Sequence, residues 1–247
     1  MAPSRLQRAW SWLITPPPDV IDDADRRTTD IVGLRLPVRG SVAVAVATMV
    51  LLVDFSRVLL PEDVVGLGRA PGALRAIALE RVVLFALVPL AVILLGFRDR
   101  PTRYGWTVGD GRAGAALSLA GCIVMTPIVL WFASLPDVRG YYAVSAAPVL
   151  DVVLTNILDL TPAEFLFRGF LMLTLVRAIG PIGVLIAVMP FAFAHIGKPA
   201  LELLSTLGGG LAYGWLAWRT RSILWGSIAH VYILSLVTIV AAQPPAV

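Results

Sequence analysis

Thr161-Pro-Ala-Glu-Phe-Leu-Phe-Arg-Gly169 places a carboxylate, Glu164, and a guanidinium, Arg168, one helical turn apart inside a long apolar region. A charge at the centre of a bilayer costs roughly 3 kcal/mol or more, so an intramembrane pair marks a site and calls for buried polar partners. The sequence has only two histidines, His195 and His230, and both lie in apolar segments downstream. Glu164, His195 and His230 together are enough to propose a reaction centre. A neutral imidazole ligates a metal or holds a water, and a carboxylate takes that water's proton. Glu164 four residues before Arg168 is also the favoured orientation for a plain helical ion pair, and each histidine alone reads more readily as a hydrogen-bonded core residue than as a ligand.

The apolar region around this stretch, residues 145–179, would be about 52 Å long as one helix, against a hydrocarbon layer of roughly 30 Å. A break is therefore expected at Thr161-Pro162: Thr161 is a good N-cap, Pro162 suits the first helical position, and Glu164 completes a Thr-x-x-Glu capping box. Gly180-Pro181 ends the helix that follows. A hairpin at the break gives about eight membrane helices and places Arg219 and Arg221 outside. A kink gives about seven and places them inside, as charge prefers.

With 58% hydrophobic and 15% charged residues and a mean hydropathy of +0.84, the solvent for most of the chain is lipid. The expected class is an all-α polytopic integral membrane protein. The net charge of +4 does not point to nucleic acid, because the arginines gather at the ends of apolar segments, facing headgroups. Lys198 is the only lysine among 20 basic residues. With abundant Ala and Val, that usage fits a GC-rich genome and a bacterial cytoplasmic membrane. Cys122 is alone, which excludes a disulfide within the chain and a cysteine metal site.

Residues 1–39 form a polar, basic tail without a cleavable signal peptide. Leu6, Trp10 and Leu13 follow helical spacing there, as in a short amphipathic anchor. Residues 40–144 hold three spans, at 41–60, 74–97 and 113–135, with Pro127 expected to kink the third. Asp54 and Arg57 pair on one face of the first, and Glu80 and Arg81 open the second. Basic flanks alternate rich and poor, which puts the N-terminus and loop 98–112 in the cytoplasm. Helices at 182–195, 200–218 and 223–242 complete the chain, and Gly210-x-x-x-Gly214 allows a close helical neighbour.

Other intramembrane chemistries lack their residues. No His-Glu-x-x-His pair exists, and no pair of membrane aspartates stands in a Gly-Asp setting. Ser227, three residues before His230, lacks a nucleophile loop.

Over residues 145–242 the chain resembles the CPBP (CAAX protease and bacteriocin-processing) intramembrane proteases. Their first motif, Glu-Glu-x-x-x-Arg with a following Gly, reads here Ala163-Glu164-Phe-Leu-Phe-Arg168-Gly169. Their second, Phe-x-x-x-His, is matched by Phe191 and His195, and their third, His-x-x-x-Asn, in part by His230 with Leu234 in the Asn place. The resemblance implies a CAAX-protease-like helical bundle and endopeptidase chemistry. In that chemistry the first Glu is the general base, aided by both histidines with or without a divalent metal such as zinc at His195 and His230, and the Asn stabilises an oxyanion. Its expected partners are the bilayer and a membrane protein or peptide substrate.

The departures strike that mechanism. Ala163 cannot accept a proton, Leu234 cannot donate a hydrogen bond, and Glu164 points about 100° away around a helix. The expectation is a catalytically impaired member acting as scaffold or regulator of another membrane protein. An active peptidase using Glu164, with Asp159, Asn156 or Glu202 as substitutes, is the alternative. A small transporter is a third reading, without any paired repeat to support it.

Overall fold

The computed structural model describes residues 4–243. Long helices dominate: α3 (Val38–Ser56), α5 (Pro71–Phe97), α6 (Gly111–Ser134), α8 (Val149–Ile179), α9 (Ile182–Phe193), α10 (Ala200–Thr220) and α11 (Leu224–Ala241). Shorter helices are α1 (Arg5–Ile14), α2 (Asp23–Arg26), α4 (Glu62–Gly66) and α7 (Pro136–Ser145). The strands β1 (Thr28–Ile31) and β2 (Leu34–Pro37) form a small antiparallel hairpin ahead of α3.

Among the described residues, α3, α5, α6 and α11 are each long and apolar enough to cross a membrane, and the bent pair α7 and α8 makes a fifth. That count falls below the seven or eight expected, for compositional reasons. Helix α9 has 12 residues, about 18 Å, and α10 is diluted by Glu202, Ser205, Thr206 and a run of glycines. Both still pack within the bundle as the expected helices.

Helix α8 corrects the expected break at Thr161-Pro162. It runs without interruption from Val149 to Ile179, with Pro162 inside it, so neither hairpin nor cap forms there. The sharp turn lies earlier, where α7 and α8 meet at 95°. The reason is burial: every residue from Pro162 to Arg177 is buried. A helix that is apolar all round belongs inside a bundle, and its length need not match the lipid. Helices α3, α5, α9, α10 and α11 pack around it, and Leu166, Phe170, Met172 and Leu173 fill the centre. Gly180, in the left-handed region at φ 80°, ends α8 as expected. Helix α6 passes through Pro127 without a break.

The N-terminal residues fold over one end of the bundle. Helix α1 opens with a capping box, Ser4 with Gln7, and exposes Leu6, Trp10 and Trp12. Arg219 donates to the carbonyls of Trp12 and Leu13 and pairs with Asp110 at 3.0 Å, and Arg221 pairs with Asp19. Both arginines therefore share an end with the N-terminal residues and loop 98–110, as in the seven-helix arrangement.

Asp25 is the hub of that end. It is 1% exposed and accepts from Arg39 at 2.9 Å and Arg103 at 2.7 Å, with Arg177 at 3.5 Å. Burial pushes its carboxyl up, but the Arg39 hydrogen bond and the charges of Arg177 and Arg103 outweigh it and hold the group below the usual carboxylate range. A depressed folded pKa contributes stability that is full above the unfolded value of about 3.9 and is lost as pH falls through the folded value. Asp25→Asn should cost about 3 kcal/mol, the low end for a broken buried pair, because Arg39 and Arg103 keep Asp99. Thermal unfolding in detergent should show that loss at pH 7 and a smaller one near pH 3.

Candidate functional site

Glu164 lies at the junction where α8 passes from α-helical to π-helical winding, which continues from Phe165 to Met172. Such a turn inserts one residue per cycle and re-aims the side chains after it. The Glu164 side chain is 1% exposed. Its Oε1 accepts from His230 Nδ1 at 2.8 Å and lies 3.3 Å from Arg168 Nη1. Arg168 stacks on the Phe191 ring at 3.9 Å and lies 5.5 Å from the ring of Tyr213. Tyr213 in turn stacks on His230 at 5.0 Å. Helix α11 approaches closely here because residue 226 is glycine: a Cβ there would sit 3.2 Å from Glu164 Oε2.

Phe191 is the pivot of the two histidines. Its ring meets His195 at 4.5 Å and His230 at 6.1 Å, and its carbonyl accepts from His195 Nδ1 at 2.8 Å. The expected Glu/His/His set is thus gathered in one place, with Glu164 touching His230 and His195 across Phe191.

A cavity of about 920 Å³ opens beside this cluster. Ala163, His195, His230 and Leu234 line it; Glu164 and Arg168 do not. The wall position one residue before Glu164 therefore presents a methyl group, and the carboxylate is turned into the protein. As a base Glu164 is poorly placed. As an anchor it is well placed, because a carboxylate accepting from Nδ1 fixes the tautomer of His230.

The substitutes separate clearly. Because α8 is continuous, Asp159 lies one turn before Ala163 on the same face, and Asp159 and Asn156 both line the cavity. Asp159 accepts from Arg81 Nη1 at 2.7 Å, and Asn156 donates to Ser235 Oγ at 3.0 Å. Glu202 is excluded: it is absent from the cavity wall and binds Tyr142 at 2.8 Å and Lys198 at 2.7 Å.

The metal reading of His195 and His230 does not fit. A zinc site takes at least three protein donors. Among the described residues no three His, Cys, Asp or Glu side chains converge to hold an ion. The nearest carboxylate, Glu164, is held by His230 Nδ1 and Arg168.

Spacing alone did not reveal an ion network that reaches the cavity through Asp54, Arg57, Arg81 and Asp159. Asp54 accepts from Arg57 at 2.9 Å, as the expected local pair, and also from Arg81 at 2.8 Å. Arg57 reaches Glu80 at 3.2 Å, and Arg81 joins Asp54 to Asp159. The sequence signal was four charges inside two apolar spans, which demand partners in lipid.

Residues 145–235 match the family model described as Rce1-like, type II CAAX prenyl endopeptidase. Over those residues, less than half of its length, the chain is similar to that family. No curated protein and no solved structure matches it. All three motifs of the Rce1-like core fall within the matched residues and converge beside the cavity, with Ala163 and Leu234 on its wall. The motif glycine, Gly169, has a packing reason: a Cβ there would lie 2.4 Å from the Tyr104 carbonyl and 2.8 Å from the Phe165 ring. Gly169→Ala should cost about 3 kcal/mol, because backbone cannot yield as a side chain does. A loss of monodisperse protein on size exclusion in detergent would show it.

Proposed function

We propose that this protein is a catalytically impaired CAAX-protease-like membrane protein that serves as scaffold or regulator of a partner membrane protein. The observation that carries the reading is the orientation of α8. Its cavity face shows Ala163 where the family's general base stands, and the one motif carboxylate, Glu164, is buried against Arg168 and His230. Leu234 removes the second polar group from the same wall. The shared position of the N-terminal residues, loop 98–110 and Arg219 and Arg221 supports a cytoplasmic N-terminus, and the arginine-rich composition supports a bacterial membrane.

One observation favours a second reading, an active endopeptidase: Asp159 reaches the cavity one turn from Ala163. Its pairing with Arg81 at 2.7 Å opposes that role, because the carboxylate is already held by a guanidinium instead of facing a water. The two readings divide on the cleavage of membrane peptides in liposomes. Impairment requires no product from wild type, from Asp159→Asn or from His195→Ala. A product formed by wild type and lost in both variants would establish the second reading.

A further inference from the structure

The charged groups on the cavity wall already have partners. Asp54, Arg57, Arg81 and Asp159 bind within their network, Lys198 binds Glu202, and Asp151 meets Arg75 at 3.4 Å. Arg69 donates to the Tyr141 carbonyl and hydroxyl and lies 3.6 Å from the centre of that ring. The two imidazoles differ. His195 Nδ1 faces the Phe191 carbonyl and His230 Nδ1 faces the Glu164 carboxylate, and neither oxygen group can donate. Both Nδ1 atoms must therefore carry the proton. A neutral ring that donates from Nδ1 keeps its lone pair at Nε2. Two hydrogen-bond acceptors are left on the wall of a cavity whose other neighbours are mostly apolar.

The rim points to where a ligand comes from. Leu52 and Phe55 of α3 and Met189 and Phe193 of α9 line the cavity and are also more than half exposed. In a bilayer those side chains face acyl chains, so the cavity is reached from lipid. An entering molecule keeps its apolar body against this rim and aliphatic wall. Its polar end must donate a hydrogen bond and carry no charge, because the wall charges are matched.

We propose that this cavity binds a long-chain amphiphile with an uncharged hydroxyl head, whose O–H donates to Nε2 of His195 or His230. The inference rests on the proposed loss of proteolysis, since a protease would keep this space for its peptide.

The test uses the full-length protein in detergent, with radiolabelled 1-hexadecanol as probe, and with hexadecane, palmitate and hexadecyltrimethylammonium as competitors. Hexadecanol should bind saturably and about tenfold more tightly than hexadecane, as one hydrogen bond of about 1.4 kcal/mol gives. His195→Phe combined with His230→Phe, which removes both acceptors, should abolish that tenfold preference, read as the ratio to hexadecane in the same variant. With His230→Gln in place of His230→Phe, an amide oxygen still accepts and should restore part of it. Leu234→Trp, which fills the wall, should weaken every probe alike. If a histidine variant fails to fold, the preference of wild type among the four probes still decides. Palmitate or the ammonium binding tightest, or hexadecanol no better than hexadecane, overturns the inference. Neither result bears on cleavage, so a peptide product lost in His195→Ala would overturn the functional reading separately.

Discussion

Glu164→Ala is expected to destabilise the protein by about 3–5 kcal/mol, the cost of leaving one partner of a buried pair uncompensated. That is roughly a fifth or more of the net stability of a typical domain, about 5–15 kcal/mol. Arg168 keeps a side chain only 3% exposed, and the nearest opposite charge, at 3.3 Å, is the one removed. His230 loses its Nδ1 acceptor at the same time. The pair itself is imperfectly satisfied, because Glu164 Oε2 and both Arg168 Nη atoms are buried without hydrogen bonds. Removing both charges should therefore recover most of the loss, as apolar replacements of buried pairs generally do. Thermal unfolding in detergent of Glu164→Ala, Arg168→Met and the double variant forms the cycle. A fully stable Glu164→Ala would show that this carboxylate does not hold the core together.

The second large effect is a gain. Ala163→Glu with Leu234→Asn returns a carboxylate and an amide to the cavity wall beside His195 and His230. A general base is worth about 10²- to 10⁴-fold and an oxyanion donor about 10²- to 10³-fold. Groups that act as a unit are not additive, so either substitution alone should give far less than the pair. Peptide turnover should appear in the double variant and be abolished again by His195→Ala. Room exists for the added atoms, because both positions border a cavity of about 920 Å³.

The membrane class, the helical bundle and the gathering of Glu164, Arg168, His195 and His230 were legible because apolar runs and isolated charges are local signals. The break at Thr161-Pro162 was read wrongly for a physical reason. A capping signal is worth about 1 kcal/mol, whereas burying each of Phe165, Leu166, Phe167 and Phe170 is worth about 1.5–3 kcal/mol. Tertiary packing won, and Pro162 stayed inside the helix. That Glu164 turns away from the Ala163 face was legible from the 100° step of a helix, whereas the π-helical winding from Phe165 to Met172 came only from the coordinates. The Arg81–Asp159 pair joins residues 78 apart, beyond any helical spacing, although the charges themselves were visible. Tyr213, stacked on His230, carried no charge to draw attention.

Reconstituted wild-type protein, incubated with a membrane-peptide library and followed by mass spectrometry, tests the missing base most directly. With Ala163 on the cavity wall and Glu164 turned inward, no new peptide terminus should form at any incubation time. A defined product that disappears in His195→Ala would contradict the account and make Asp159 the base to examine next.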